Sequence, residues 1–348
     1  MIDISAQEHG KHPNGQDIFV YTLKNTNGTI VEITNYGAII MAIKVKKSDN
    51  TYNDIVLGFE KPSDYWNEEY LKNYPFFGAV IGRYANRIDK AAFTIDDTVY
   101  PINSTNPGYV LHGGMEGFDK KVWDRVDSDQ EDLVLRYVSP DGEEGFPGEL
   151  DVRIRFQLSE NDALSYEYFA TTSKPTAVNL THHSYFNLNN GKGNILHNHH
   201  LKINASQYLE QDPNYCTTGK LLPVIGTRND FMQYNETGNI SDSETGIDIS
   251  FQLDNAGIDQ VAAEAFCDEQ DIKLEVFTTE PLVHLYNACY SPTIVGKEGT
   301  QYSSFSGFCY ETQVHPNAIR ITDFPNTILR PGENYYTKTI YRLSKKGL

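Results

Sequence analysis

The sequence predicts an all-β protein, a large antiparallel β-sandwich of two packed sheets. Where a pattern is legible, apolar and polar residues alternate with a period of two, as in the inward set Val152, Ile154, Phe156 and Leu158. Many of these segments are rich in β-branched and aromatic residues, which suit a half-buried pleated surface. Turn signals follow one another too closely to leave room for long helices. Together these features favour packed antiparallel sheets.

The individual elements follow from the same patterns. Strands are predicted in ten segments: Ile18 to Leu23, Thr29 to Ile33, Ile39 to Val45, Asp151 to Leu158, Leu133 to Tyr137, Leu164 to Ala170, Ile249 to Leu253, Ile272 to Val276, Leu282 to Asn287 and Thr337 to Leu343. Turns are predicted at Ser139 to Gly142, Ser159 to Asp162 and Arg330 to Glu333, and short helical turns at Ser63 to Tyr70.

Composition limits the classes of function. The chain has 348 residues, of which 39% are hydrophobic and 22% charged, and no Pro/Gly/Ser-rich linker divides it, so we expect one domain over 1–348. A formal net charge of -18 argues against a nucleic-acid or anionic-membrane partner and favours a small neutral substrate. The stretch from Ile2 to Gln16 is polar and lacks the features of a secretory signal, and no apolar run is long enough to span a bilayer. We therefore expect a cytoplasmic protein, either a monomer or a homodimer.

The four cysteines are too sparse for a disulfide framework. Cys216, Cys267, Cys289 and Cys309 form no Cys-x-x-Cys pair. Free and mostly buried thiols in a reducing compartment are the expected state.

Glu311 and His183 are the candidate catalytic pair. Glu311 lies between aromatic and apolar residues of a strand-like segment, where a glutamate is rarely buried without a partner. A structural salt bridge to an arginine is the alternative. A carboxylate that takes a hydroxyl proton and an imidazolium that gives one back can open and close a cyclic hemiacetal without a cofactor.

Two other segments carry candidate binding residues. Asn86 and Arg87 lie in the apolar, glycine-containing segment 76–88, where a guanidinium needs an internal carboxylate or a ligand oxygen. For Arg83 and Arg87 taken singly, a structural ion pair is the favoured interpretation. His112 precedes Gly113 and Gly114, where missing side chains let a ligand or another strand come close. A hydrogen-bonded histidine at a turn is the alternative.

The remaining histidines and one aspartate have weaker signals. His182, His183, His197, His199 and His200 invite a metal-site hypothesis, but no His-Glu-x-x-His arrangement is present, so no metal is predicted. The second of these two clusters has the composition of a solvated loop. Asp259 follows a glycine after a strand-like segment, where an ordinary turn residue is the simpler interpretation.

Taken in order, these motifs resemble those of the aldose 1-epimerases, also called galactose mutarotases. The resemblance covers nearly the whole chain. It rests on Gly-Ala-Val-Ile-Gly-Arg-Tyr-Ala-Asn-Arg-Ile at 78–88, Leu-His-Gly-Gly at 111–114, Ser-Pro-Asp-Gly-Glu-Glu-Gly-Phe-Pro-Gly-Glu-Leu at 139–150, His-Ser-Tyr-Phe-Asn-Leu at 183–188, Glu-Thr-Gln at 311–313 and Leu-Arg-Pro-Gly-Glu at 329–333.

This resemblance implies a galactose-mutarotase-like sandwich that interconverts the α and β anomers of free hexoses, galactose and glucose, with no cofactor or metal. Carried over to matching positions, Glu311 is expected to be the general base and His183 the general acid. The expected substrate-binding residues are Asn86, Arg87, His112, Tyr185, Asp259 and His284.

Two positions depart from the family pattern. His284 stands where members often carry a glutamine, and the segment after Asp259 is unlike the usual Asp-His-Asn-Phe. Both departures bear on hexose preference.

A catalytically silent sugar-binding or regulatory protein on the same sandwich is the alternative function. A glycoside hydrolase or lyase is disfavoured, because hydrolysis by the usual route needs two carboxylates.

Overall fold

The fold is an antiparallel β-sandwich with almost no helix. A computed structural model describes residues 2–104, 106, 108–126, 132–239 and 246–346. The strands are β1 Asp3–Lys11, β2 Asp17–Lys24, β3 Ile30–Thr34, β4 Ile40–Lys46, β5 Tyr52–Asp54, β6 Val80–Ile81, β7 Arg87–Asp89, β8 Ala92–Ile95, β9 Thr98–Pro101, β10 Tyr109–Leu111, β11 Asp124–Val126, β12 Leu133–Ser139, β13 Leu150–Leu158, β14 Ala163–Thr172, β15 Thr176–Ala177, β16 Thr181–His182, β17 His199–Ile203, β18 Gln207–Gln211, β19 Thr217–Pro223, β20 Asn235–Glu236, β21 Asp248–Gln252, β22 Gly257–Cys267, β23 Lys273–Thr278, β24 Leu282–Tyr286, β25 Ile294–Val295, β26 Gln301–Tyr302, β27 Cys309–Gln313, β28 Ile328–Leu329 and β29 Tyr335–Ser344.

Among the described residues, helical structure is confined to short segments. The helix α1 spans Glu68–Lys72, and its preceding residue Asn67 caps it by accepting a hydrogen bond from the Tyr70 amide. The 3-10 helices are Pro62–Trp66, Phe118–Lys120, Glu143–Gly145, Thr237–Asn239, Lys297–Gly299 and Ala318–Arg320. Within the described ranges, none of the helices has the length and apolar composition needed to span a lipid bilayer.

Three large sheets make up the body of the molecule. The first has the order β1-β2-β3-β4-β5, the second β11-β12-β13-β14-β29-β23-β22-β17-β20, and the third β19-β18-β21-β24-β27. The ladders that join these strands are antiparallel, so the predicted all-β antiparallel class is confirmed. The ten predicted strands and the helical turns near Ser63 to Tyr70 are confirmed as well, with shifts of a few residues at their ends.

The main hydrophobic core joins the inner faces of the three large sheets. It includes Leu23 from β2, Phe156 from β13 and Val283 from β24, all fully buried. A smaller aromatic core packs around Tyr65, Phe77 and Tyr185. Because side chains alternate along a strand, the face of β24 and β27 opposite the main core can carry polar residues. Two of the functional candidates, His284 and Glu311, lie on that face.

The structure corrects two expectations about loops. The segment 196–200, which has the composition of a solvated loop, runs into β17, where His199 is fully buried and accepts a hydrogen bond from the Leu188 amide at 2.8 Å. The segment around Asp259, expected to be a turn, belongs to the long strand β22. No alternation is legible in that strand, because its first residues are exposed and its second half is buried almost continuously.

Candidate active site

A cavity of about 220 Å³ opens above the third sheet, on the face turned away from the main core. Seven of the eight residues predicted from the sequence line it: Asn86, Arg87, His112, His183, Tyr185, His284 and Glu311. Asp259 is the exception, and Asp248 lines the cavity instead.

The register of β24 and β27 places the candidate base. Glu311 pairs directly with His284 across these two strands, and His284 pairs with Ser250 of β21. Non-sequential residues of three strands therefore meet on one face. Glu311 is 1% exposed, and its Oε2 has no hydrogen-bond partner among the residues that the structure describes.

His183 is held opposite Glu311 by the backbone just after β16. Its amide donates to the Ala79 carbonyl and its carbonyl accepts from the Gly78 amide, both at 2.9 Å. The Tyr185 ring stacks on the imidazole with centroids 5.0 Å apart, and the Tyr185 hydroxyl donates to the Pro75 carbonyl at 2.8 Å. These contacts orient the ring so that its Nε2 lies 3.5 Å from Glu311 Oε1.

Burial and the nearby negative charge shift the pKa of His183 in opposite directions. Burial lowers the pKa of the imidazole, and the nearby Glu311 carboxylate opposes that effect only in part, so the pKa lies below its usual value. A lowered pKa makes the imidazolium a stronger acid, which favours proton transfer to a weakly basic oxygen.

His112 and Asn86 hold each other in a reciprocal backbone contact. The His112 amide donates to the Asn86 carbonyl at 3.0 Å, and the Asn86 amide donates to His112 Nδ1 at 3.1 Å. Because Nδ1 accepts, the neutral ring carries its proton on Nε2 and can donate there to a substrate oxygen. Burial, followed by the neighbouring His183, holds the pKa of His112 well below its usual value, which keeps the ring neutral.

Gly113 explains how the turn after His112 is built. Its φ is +88°, and a Cβ there would lie 2.0 Å from the Gly82 carbonyl oxygen. The glycine therefore lets another segment of the chain come close, which is one of the two uses expected from the sequence.

Asp248 forms the centre of a charged network at the side of the cavity. His284 Nε2 lies 2.8 Å from Asp248 Oδ1, and Arg87 Nη2 lies 3.4 Å from Asp248 Oδ2. The other ring nitrogen of His284 lies 2.8 Å from Ser250 Oγ. Burial alone would raise the pKa of Asp248, but the hydrogen bond with His284 and the Arg87 charge outweigh it, so the pKa lies well below its usual value.

Arg87 is fixed between two aromatic rings. Its guanidinium carbon lies 5.3 Å from the ring centroids of both Tyr109 and Tyr215. The structural ion pair expected for Arg87 is present, with Asp248, and it lies inside the candidate site. Arg83, by contrast, has hydroxyl and backbone carbonyl oxygens as its hydrogen-bond partners rather than a carboxylate.

The structure does not bring Asp259 to the cavity. It is exposed on β22, a strand of the nine-stranded sheet, whereas the cavity lies on the third sheet. Asp248 was missed because it lies one residue before the predicted strand Ile249 to Leu253. The observed strand β21 begins at Asp248, and in a strand with those bounds Asp248 and Ser250 share one face, which is the signal that could have found it.

The histidines that invited the rejected metal-site hypothesis have other hydrogen-bond or ion-pair partners. His182 lies 3.1 Å from Ser184 Oγ, and His200 lies 3.1 Å from Asp268. Among the described residues, His112, His183 and Glu311 each have a potential ligand atom within 4.8 Å of the others. Such proximity does not by itself make them ligands, because the same three groups account for an acid, a base and a hydroxyl donor.

The cavity contains a buried acid-base pair surrounded by hydrogen-bonding groups. Such a site is suited to proton transfer on a small polyhydroxylated substrate. The sequence matches the family model described as aldose 1-epimerase over residues 20–342. It is 39% identical to galactose mutarotase from Homo sapiens, with 99% of each chain covered, and 31% identical to aldose 1-epimerase from Escherichia coli, with 95% and 96% covered.

Solved structures agree with the sequence comparison. An aldose epimerase homologue from C. elegans superposes with a TM-score of 0.84 at 25% identity, covering 92% of this chain and 97% of that one. The chain belongs to the aldose 1-epimerase family, an isomerase family that acts on sugars, and its fold is of the galactose mutarotase type.

Proposed function

We propose that the protein catalyses the interconversion of α and β anomers of free hexoses, galactose and glucose among them, with Glu311 as the base and His183 as the acid. The observation that carries this proposal is the buried contact of 3.5 Å between His183 Nε2 and Glu311 Oε1 at the cavity. The names of the two relatives, galactose mutarotase and aldose 1-epimerase, support an aldose substrate and galactose in particular.

Ring opening needs two coupled proton transfers. Glu311 takes the proton of the C1 hydroxyl while His183 Nε2 protonates the ring oxygen, and the C1–O5 bond breaks. The free aldehyde then rotates about the C1–C2 bond. Closure on the other face of the carbonyl inverts the anomer, with each residue reversing its role. Each positioned acid or base contributes about 100- to 10,000-fold.

The surrounding groups orient the sugar during this cycle. His112 Nε2 is a neutral donor, while Asn86, the Arg87–Asp248 pair and His284 offer both donors and acceptors for hydroxyl groups. Their mutual hydrogen bonds hold them in place before the substrate arrives, which lowers the entropic cost of productive binding.

The proposed reaction uses no cofactor or metal. We also infer that residues 1–348 act as one domain, that the protein is cytoplasmic, and that it works as a monomer or homodimer. The net charge of -18 supports a neutral small-molecule substrate over a polyanion.

Chelator treatment should leave activity unchanged, and a loss of activity that zinc restores would contradict the metal-free mechanism.

Polarimetry on freshly dissolved α-D-galactose and α-D-glucose tests the function directly. The protein should speed the approach to an unchanged final rotation, and Glu311→Gln and His183→Asn should each lose at least about 100-fold in kcat/KM. Asp259→Asn is the control, because that exposed residue lies outside the cavity. Sugar binding by calorimetry without any acceleration would instead support a silent sugar-binding protein.

A further inference from the structure

Aromatic rings contribute to how Arg87 is held in the candidate site. Its contact with Asp248 Oδ2 is 3.4 Å long, which is longer than most hydrogen bonds of this kind. Its Nε is buried and has no acceptor among the described residues. The rings of Tyr109 and Tyr215 lie against the guanidinium, each with its centroid 5.3 Å from the guanidinium carbon. One long ion pair does not fix the plane of a guanidinium, so its orientation depends on the rings as well.

Tyr215 reaches Arg87 from the tip of the β18–β19 hairpin. The tip is a tight turn in which the Asp212 carboxylate accepts hydrogen bonds from the Asn214 and Cys216 amides at 2.8 and 3.0 Å. The turn fixes the backbone at Tyr215, but the side chain of this residue is 38% exposed. The ring therefore needs a contact of its own to stay against the guanidinium.

That contact is a hydrogen bond with Tyr290. The two hydroxyl oxygens lie 2.6 Å apart. Tyr290 belongs to the segment that follows β24, and its amide donates to the Tyr286 hydroxyl at 3.0 Å. The rings of Tyr286 and Tyr290 stack with centroids 6.5 Å apart, and both residues line the cavity. Tyr290 thus links the hairpin tip to the cavity wall.

We propose that Tyr215 and Tyr290 are positioning residues for Arg87: the hydrogen bond between their hydroxyl groups keeps the Tyr215 ring against the guanidinium, which then presents its remaining N–H groups to a sugar hydroxyl in a fixed orientation. The inference rests on the proposed function, in which Arg87 is one of the groups that orient the sugar. A preorganised donor binds its ligand with a smaller loss of conformational entropy. The pair should therefore act on sugar affinity more than on the proton transfers at Glu311 and His183.

A direct contact between the Tyr290 hydroxyl and the sugar is the alternative role, because Tyr290 lines the cavity. Tyr215, by contrast, is not part of the cavity wall in the described part of the chain. An effect of Tyr215 on sugar affinity has to pass through a neighbour, and Arg87 and Tyr290 are the neighbours that connect it to the cavity. A double-mutant cycle separates the two roles, because one shared hydrogen bond can be lost only once.

Phenylalanine substitutions remove one hydroxyl group each and keep both rings. Tyr215→Phe and Tyr290→Phe should each raise KM for galactose, and the dissociation constant measured by calorimetry, about 2- to 10-fold. The kcat of each variant should stay within about two-fold of the unmodified protein. The double variant should bind the sugar no more weakly than either single variant.

Tyr336→Phe is the matched control for these variants. Tyr336 is also an exposed tyrosine, and it lies on β29 in the nine-stranded sheet, away from the cavity. Its substitution should leave KM, kcat and the dissociation constant unchanged.

Nitrogen NMR of the arginine side chains reports on Arg87 without sugar or turnover. The Arg87 Nε–H signal, assigned with Arg87→Lys, should be displaced by the ring currents of the tyrosines and should exchange slowly with water, because Nε is buried. Tyr215→Phe and Tyr290→Phe should both move this signal and speed its exchange several-fold. Tyr336→Phe should do neither.

The outcomes distinguish this inference from the proposed function. Multiplicative effects of the two phenylalanine substitutions on sugar affinity would overturn it, because each hydroxyl would then act by itself. Unchanged sugar affinity, or an unmoved Arg87 signal in both variants, would overturn it as well. If the unmodified protein did not accelerate mutarotation, the proposed function would fail, while the Arg87 signal and the calorimetric affinities would still decide the role of the tyrosine pair.

Discussion

At the scale of single residues, the site depends on partners that come from distant parts of the chain. Asp248 contacts Arg87 and His284, which are more than a hundred residues before it and about forty after it, respectively. Removing the charge of Asp248 would leave the partly buried Arg87 without its carboxylate. Breaking such a pair by removing one partner destabilises a protein by more than the intact pair stabilises it.

Asp248→Asn should therefore weaken substrate binding more than the chemical step. We expect KM to rise about ten-fold or more, since a hydrogen bond between charged groups contributes roughly 1.5–3 kcal/mol, while kcat falls less. Steady-state mutarotation kinetics measures both constants.

The control for that variant is Asp259→Asn, the same chemical change on the exposed part of β22. It should leave KM and kcat unchanged. The reverse result, with Asp259→Asn impaired and Asp248→Asn normal, would restore the assignment expected from the sequence and contradict the placement of the charged network.

At the scale of elements, Arg83 ties the β12–β13 connection to the segment that carries Asn86. Its guanidinium is 2% exposed and donates to the carbonyls of Ser139, Pro140, Pro147 and Gly148. One buried side chain thus satisfies carbonyls at both ends of a long loop, and removing it would leave them without donors.

Arg83→Met should destabilise the protein by about 3 kcal/mol or more, because several buried acceptors lose their donor at once. Urea denaturation followed by fluorescence measures the difference. Arg153→Met, at a side chain 54% exposed, is the control and should stay within about 0.5 kcal/mol of the unmodified protein. Equal stabilities for the two variants would show that the loop does not depend on Arg83.

The elements also show why some strands were predicted and others were not. The alternation of Val152 to Leu158 was legible because one face of β13 is buried. Strand β1 is exposed along nearly its whole length, so burial imposes no alternation on its sequence. The first half of β22 is exposed as well, so its sequence carries no alternation that would have predicted a strand around Asp259.

At the scale of the whole molecule, only those residues of the site that lie in short sequence motifs could be predicted. His112, His183 and Glu311 stand in recognisable motifs, whereas Asp248 reaches the cavity only through the pairing of β21 with β24. Such register depends on contacts that are distant in sequence.

Buried carboxylates outside the site affect the stability of the whole fold. Glu280 is 3% exposed, between β23 and β24, and within the described part of the chain its Oε1 has no hydrogen-bond partner. Burial raises its pKa to about 8, against the opposing effect of hydrogen bonds with Tyr335 and Thr337. Glu280 is therefore protonated in the folded protein at neutral pH, whereas an unfolded chain ionises it at its ordinary, much lower pKa.

This difference predicts a loss of stability with rising pH. The folded state binds the Glu280 proton more tightly than the unfolded state does. The stability that this tighter binding provides is fully present below the unfolded pKa and is lost as pH rises through about 8. Glu280→Gln should remove that dependence while keeping the shape of the side chain. Between about pH 5 and about pH 9, the free energy of unfolding of the unmodified protein should fall relative to the variant by an amount on the order of a few kcal/mol.

Urea denaturation of both proteins across that pH range measures the difference directly. Glu298→Gln is the control, because Glu298 lies in a short 3-10 helix with no buried residues. Parallel stability curves for the unmodified protein and Glu280→Gln would mean that Glu280 is ionised in the folded state. In that case the carboxylate must have partners that compensate for its burial, and the interface between β23 and β29 would be the place to seek them.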